Sequence, residues 1–177
     1  MKEFQTNRIK LTKPDFKYLK DFYNYASKPH IGPMAGWMPH QNISVTKRVL
    51  EEMAHDQHTW FIIWLENDKM IGTIDLTPDH DTYIFKPTRY ELGYSIDDEY
   101  WGKGIAIEAS NLLLDYAFQE LKVKEVIAKH SEQNQRSKRV LEKLGFEFTS
   151  AEFDEKYQQF TFRIWNYKMT KYRYERR

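Results

Sequence analysis

The segment that most restricts the fold runs from residue 90 to residue 121. A β-rich run at 90–96 leads, through Tyr100-Trp101-Gly102-Lys103-Gly104-Ile105-Ala106, into the best-defined helical pattern of the chain at 104–121. Ile105, Ala109, Leu112, Leu113, Tyr116 and Ala117 recur there at threes and fours and form one apolar stripe. A second strand and helix follow. Residues 125–129 read as a short strand, 135–144 as a helix closed by Gly145 at the C′ position, and Phe146 as the start of a further strand. Strands alternating with one-faced helices require a sheet and helices sharing a core.

The first half fits the same architecture. Residues 8–12 alternate Ile9 and Leu11 with polar neighbours as a strand does, and Pro14 then sits where a first helical turn tolerates it. Phe16, Leu19, Phe22, Tyr23 and Ala26 give the following helix its buried face, and the Gly- and Pro-containing stretch 30–42 is a loop. Ser44 is the expected N-cap of a second helix carrying Val45, Val49, Leu50 and Met53 and ending near Gln57. Residues 60–65 and 70–76, joined by Glu66-Asn67-Asp68-Lys69, read as a hairpin. A connection spans 78–87. In the last strand, Phe160, Phe162 and Ile164 alternate with Thr161, Arg163 and Trp165. The fold class expected is α/β in the mixed α+β sense: a central, mostly antiparallel sheet flanked by helices, in one domain over residues 1–177.

Composition removes several function classes. With no cysteine, a disulfide framework, a thiolate metal site and a thiol nucleophile are all excluded. The 27 basic and 26 acidic side chains leave a net charge of +1, so no global field favours DNA or anionic lipid. Residues 1–100 hold 12 basic and 15 acidic groups and the remainder 15 and 11, a bias that chance explains, with an anionic ligand in the second half as the alternative. The first ten residues lack a signal-peptide core, and the longest apolar run, 60–65, is far short of the ~20 residues needed to cross a bilayer. A cytoplasmic protein with no membrane or DNA partner is expected.

The junction at 100–106 carries the chemistry. Two glycines let backbone approach a ligand closely, and the first-turn amides of the following helix, with the positive end of its dipole, form an anion site suited to a phosphate ester. A tight strand-to-helix turn accounts for the same glycines. The segment is not a dinucleotide fingerprint, because Ile107 stands where the third glycine belongs, and it lacks the Gly-Lys-Ser/Thr of a P-loop.

Trp101-Gly102-Lys103-Gly104-Ile105-Ala106 resembles the acetyl-CoA pyrophosphate loop of the GNAT N-acetyltransferases, Q/R-x-x-G-x-G/A, with Trp101 at the Gln or Arg position. Trp-Gly-Lys-Gly continuing into Ile105-Ala106-Ile107-Glu108-Ala109 is similar to the ribosomal-protein N-terminal acetyltransferase branch (RimJ and RimL types). A second signature, Asn134-Gln135-Arg136-Ser137 followed by Val140-Leu141-Glu142-Lys143-Leu144-Gly145-Phe146, resembles the family's N-x-x-S/A…E-K-L-G-F helix. The resemblance is strong over residues 91–148 and looser over the N-terminal helices.

It implies a GNAT fold, acetyl-CoA as co-substrate, no metal, and direct acetyl transfer to an amine in a ternary complex. The strand at 90–96 would splay from that at 125–129, with backbone groups of Tyr94, Ser95 and Ile96 pairing with the pantetheine amides and polarising the thioester. Residues Trp101, Gly102, Lys103, Gly104, Ile105 and Ala106 would hold the pyrophosphate, chiefly through main-chain amides. Glu91 is the candidate general base, and a strand carboxylate paired with a neighbour such as Arg89 is the alternative. Asn134 would orient the pantetheine or a water, and Ser137 would donate toward the sulfur; Asn134 as a helix cap and Ser137 as a solvent-facing residue are the alternatives. Leu141 departs from the pattern, standing where a tyrosine often protonates the thiolate.

Trp37 and His40, in the loop between the first two helices, are candidates to shape the acceptor pocket, against packing onto their own domain. Arg139, with Lys138 and Arg136, is a candidate for the 3′-phosphate of CoA. His55 and His58 have i, i+3 spacing but no third ligand in view, so a metal site is not expected. The basic end, 173–177, reads as a mobile tail. The acceptor implied is a protein N-terminal amine, with a polyamine or aminoglycoside as the rival and a non-catalytic acyl-CoA-binding module as the alternative of another class. Monomer and homodimer stay equally open.

Overall fold

The computed structural model describes residues 1–79, 87–153 and 163–177. The expected connection at 78–87 and the Phe160–Phe162 part of the expected last strand therefore fall largely outside the described residues. Eight strands form one sheet in the order β1-β2-β3-β4-β5-β6-β8-β7: β1 (Phe4–Gln5), β2 (Ile9–Thr12), β3 (Thr59–Trp64), β4 (Lys69–Pro78), β5 (Arg89–Ile96), β6 (Glu125–Ser131), β7 (Glu147–Glu152) and β8 (Ile164–Thr170). The helices are α1 (Leu19–Ala26), α2 (Ile43–His55), α3 (Ile105–Asp115), α4 (Gln135–Leu144) and a short α5 (Lys171–Tyr174). The pairs β1–β2, β2–β3, β3–β4, β6–β8 and β7–β8 are antiparallel, whereas β5–β6 is parallel and confined to Arg89–Leu92 against Glu125–Ala128. The expected mixed, mostly antiparallel sheet with helices is what the chain forms.

The chain divides into two compact units, residues 1–75 with 94–109, and residues 76–93 with 110–177. The first has its core where Phe22, Tyr25 and Ala26 of α1 and Leu50 of α2 meet Phe61, Ile63 and Met70 of the hairpin. Phe22 lies edge-on to Phe61 and stacks on Tyr25. The interior of β3 is buried on both faces, which is why its sequence is an almost unbroken apolar run rather than an alternation. In the second unit, Val126 and Ala128 of β6, Leu141 and Leu144 of α4, and Tyr167 and Met169 of β8 are buried.

Local chemistry moves several boundaries from where the sequence puts them. Asp15 accepts from the Lys17 amide and winds residues 16–18 into a 3₁₀ turn before α1 begins. With three residues per turn instead of 3.6, the apolar face rotates. Tyr18 and Tyr25 are buried, Tyr23 is only half-buried, and Phe16 is 45% exposed. The cap of α2 is Asn42, not Ser44: its side-chain oxygen accepts from the amides of Ser44 and Val45. The helical pattern expected to 121 is α-helical to Asp115 and then a π-helical turn, 116–121, ended by Lys122 at φ 58°.

β6 and β8 run longer than their patterns suggest, because each is completed by pairing along its whole length with the other. β1 is a two-residue strand that nothing in the polar start announced. The basic end is not a loose tail: Tyr174 stacks on Phe118 and donates to Asp115, and Arg177 pairs with the same carboxylate. Arg173 donates to the Gly145 carbonyl and pairs with Glu147.

Candidate functional site

In the first unit, β5 ends in a segment whose backbone is held from several directions. The Asp97 amide donates to the Ile71 carbonyl at 2.8 Å, and the indole N–H of Trp101 donates to the Ile96 carbonyl at 2.8 Å. Gly72 permits this closeness, since a Cβ there would lie 2.2 Å from the Ser95 carbonyl oxygen. Asp97 is buried; its carboxylate accepts from the Glu99 amide and from Lys28 Nζ at 2.6 Å. Lys28 also bonds Asp98, which in turn meets His30 Nε2 at 2.9 Å. Burial pulls the Lys28 ammonium down, but the Asp97 and Asp98 carboxylates outweigh it and hold Lys28 above its ordinary range. Bonding from Lys28, ahead of Asp97 and His30 and against burial, lowers Asp98.

After this brace the chain enters the glycine loop. Gly102 and Gly104 both adopt φ 76°, the left-handed region that a side chain disfavours. A Cβ at Gly102 would find no atom within 4 Å, so the loop faces open space there. Lys103 folds its ammonium over the Tyr100 ring at 4.7 Å. α3 then starts with Glu108 N–H bonded to the Gly104 carbonyl. The first-turn amides of a helix have no intrahelical acceptor, and glycine at this start supplies no capping side chain. Backbone N–H groups, exposed glycines and a helix N-terminus thus coincide over the segment singled out in the sequence. These features make residues 101–106 the candidate site for an anion bound through main-chain amides.

Arg8 is the residue here that sequence reasoning missed. Its guanidinium donates through Nη1 to the Lys103 carbonyl at 3.0 Å and through Nε to Glu108 at 2.8 Å. Glu108 was visible in the motif continuation, but its partner lies a hundred residues earlier and no local pattern links them.

Trp37 and His40 also belong to the first unit, and both are packed. His40 is buried, its ring against Phe22 and Trp37 and its Nδ1 2.9 Å from Thr46 Oγ1. Burial lowers its pKa. Trp37 is half-buried, edge-on to Tyr25 and folded over Gly32. Tyr25 bonds Thr73 at 3.2 Å, and burial pushes its hydroxyl up to about 12.

The second unit holds the other candidates. Glu91 pairs with Lys129 at 3.3 Å, not with Arg89, which engages Asp79 and Glu125 instead. Asn134 caps α4, its side-chain oxygen accepting from the Ser137 amide at 3.0 Å. Ser137 is half-buried and Arg139 exposed, while Leu141 is wholly buried. Beneath α4, His130 is buried with Nδ1 2.6 Å from the Ser131 carbonyl; burial lowers its pKa against that bond. Among the described residues no group of three His, Asp or Glu side chains is arranged to hold a metal ion, and no helix is long and apolar enough to cross a membrane.

Residues 8–147 match the acetyltransferase (GNAT) domain family, and the chain belongs to it. It is an acetyl-CoA-dependent N-acetyltransferase. The chain is 27% identical over 153 residues to the uncharacterized N-acetyltransferase p20 of Bacillus licheniformis, covering 83% of each. It is 26% identical over 139 residues to the spermidine N(1)-acetyltransferase of Escherichia coli, covering 77% of this chain and 69% of that one. Its fold superposes on a GNAT-family acetyltransferase from Bacillus anthracis with TM-score 0.84 at 20% identity, covering 97% and 99% of the chains. It superposes on the ribosomal-protein-S5-alanine acetyltransferase of Vibrio fischeri with TM-score 0.77 at 21% identity, covering 97% of both.

Proposed function

We propose that this enzyme acetylates the N-terminal amine of a protein in the cytoplasm, by direct attack of the amine on the thioester while both substrates are bound to a single domain. The observation that carries the acetyl-CoA half of this reading is the start of α3, where two left-handed glycines and a helix with no capping side chain offer backbone amides to a diphosphate. The backbone of Tyr94, Ser95 and Ile96 is the proposed partner of the pantetheine amides. The acceptor half is supported by the Trp-Gly-Lys-Gly loop, and by the state of the carboxylates beside it. Asp97, Asp98 and Glu99 are answered by Lys28 and Lys69, which leaves a polycation less charge to recognise.

In the transfer, the amine nitrogen bonds to the acetyl carbon, the carbon–sulfur bond breaks, and the thiolate takes a proton. No enzyme thiol exists to form an acyl intermediate. Glu91 is the proposed base, and to accept the amine's proton it must exchange part of its contact with Lys129. With the oxygen of Asn134 engaged in the cap, its amide nitrogen is the group proposed to orient the pantetheine or a water. Ser137 is the proposed donor toward sulfur, and Arg139 the proposed contact for the 3′-phosphate. Trp37, and His40 behind it, are proposed to shape the acceptor side as packed walls.

Incubation with labelled acetyl-CoA and a panel of N-terminal peptides, polyamines and aminoglycosides tests the acceptor. Faster saturable transfer to peptides is expected; faster transfer to a polyamine or aminoglycoside overturns the peptide assignment. CoA binding without thiol release on any amine indicates a non-catalytic module. Glu91→Gln is expected to lower kcat at neutral pH by about 10²- to 10⁴-fold, with partial recovery at higher pH as more amine is neutral. An unchanged pH–rate profile rejects Glu91 as the base.

A further inference from the structure

We propose that Arg8 is a positioning residue for the cofactor-phosphate loop, acting through the Lys103 carbonyl and held in place by Glu108 and Thr6. This rests on the reading that residues 101–106 bind the diphosphate. Lys103 lies between two glycines at φ 76°, a stretch with little side-chain restraint of its own. Arg8 Nη1 donates to the Lys103 carbonyl at 3.0 Å, and a Cβ at Gly104 would lie 4.0 Å from Arg8 Nη2. A trans peptide is planar, with its C=O and N–H directed oppositely. Holding the Lys103 carbonyl toward Arg8 therefore turns the Gly104 N–H away from it, so a single bond from β2's leading edge fixes the direction of an amide in the loop.

The rest of the network keeps Arg8 from swinging. Nε and Nη2 both donate to one oxygen of Glu108, and Thr6 Oγ1 donates to the other. Thr6 Oγ1 itself accepts from the amides of Arg8 and Ile9, each at 3.1 Å, and the Arg8 carbonyl accepts from Leu65 at 2.9 Å. Glu108 stands in the first turn of α3, where its charge would oppose a phosphate at the same helix end; the guanidinium offsets it. Arginine suits the position because its planar fork serves the carbonyl and the carboxylate together, which a lysine ammonium does not.

The test is calorimetric binding of CoA, and of pantetheine, which carries no phosphate, to the full chain and to Arg8→Gln, Arg8→Lys and Gly104→Val, with a urea unfolding midpoint for each. Arg8→Gln is expected to weaken CoA by about ten- to a hundredfold, as loss of a charge-assisted contact does, while leaving pantetheine unchanged. Arg8→Lys, which keeps the charge and loses the fork, is expected to weaken CoA several-fold; it carries the test if Arg8→Gln does not fold. Equal weakening of CoA and pantetheine, or CoA affinity within about twofold of the parent in a folded variant, overturns the proposal. Failure of the underlying reading looks different: the parent protein then fails to bind CoA, or Gly104→Val binds it as well as the parent.

Discussion

Two helices of this protein were each marked in the sequence by a motif at their first turn, and they begin in opposite ways. At α4, Asn134 turns its own side-chain oxygen onto the Ser137 amide, so the helix start satisfies itself. At α3 the corresponding position is Gly104, which has no side chain to offer, and Arg8, brought to the loop from the start of β2, grips the Lys103 carbonyl. A helix start filled by its own cap has spent part of its capacity for an anion; one built from glycine keeps it. The same principle, four unsatisfied amides, leaves one helix start partly filled by its own cap and the other with its amides uncapped by a side chain.

The sharpest way to break this contrast is Gly104→Val. Removing a left-handed glycine and the amide geometry it allows is expected to weaken CoA by about a hundredfold or more, from the loss of two or more phosphate contacts. The accompanying stability cost is about 1–2 kcal/mol, read as a urea midpoint. Asn134→Ala is expected to do the reverse: a stability loss of about 1 kcal/mol, as for other lost caps, with a smaller change in CoA affinity than Gly104→Val causes. A large loss of CoA affinity at unchanged stability would instead make the start of α4 a cofactor element and dissolve the comparison.

The smallest expected effect probes one buried histidine in each unit. Burial holds His40 in the first unit and His130 in the second below the ordinary histidine value near 6.5. The unfolded chain therefore takes up protons first as pH falls. Stability rises with pH between the depressed values and about 6.5, and is lost below that window. Unfolding midpoints from pH 5 to 8 should show this slope, and His40→Gln and His130→Gln should each flatten it; a parent protein whose midpoint is level over that range refutes the shared mechanism.

The glycine loop, the helix behind it, the hairpin at 59–78 and the Gly145 stop were legible in the sequence because each is decided within a few residues, by φ preference, apolar period or turn chemistry. The cap of α2 was misplaced by two residues because Asn42 and Ser44 are both good caps, and only the backbone path chooses between them. Phe16 falls off the buried face that its spacing predicts because a 3₁₀ turn and an α-helix share the same local pattern but not the same pitch. For Glu91, alternation gave the strand but not the partner; Lys129 comes from another strand.

What the sequence determined alone was therefore the order of most of its elements, the position of the glycine loop and the absence of an enzyme thiol, all local or compositional properties. Tertiary structure alone decided that Arg8 meets Glu108 and Lys103, that Lys28 and His30 answer Asp97 and Asp98, and that the basic end docks on Phe118, Asp115 and Glu147. Charge-assisted bonds form wherever folding brings their groups within reach. A linear chain records which groups it has but not which of them, sixty or a hundred residues apart, the packing of sheet and helices will set side by side.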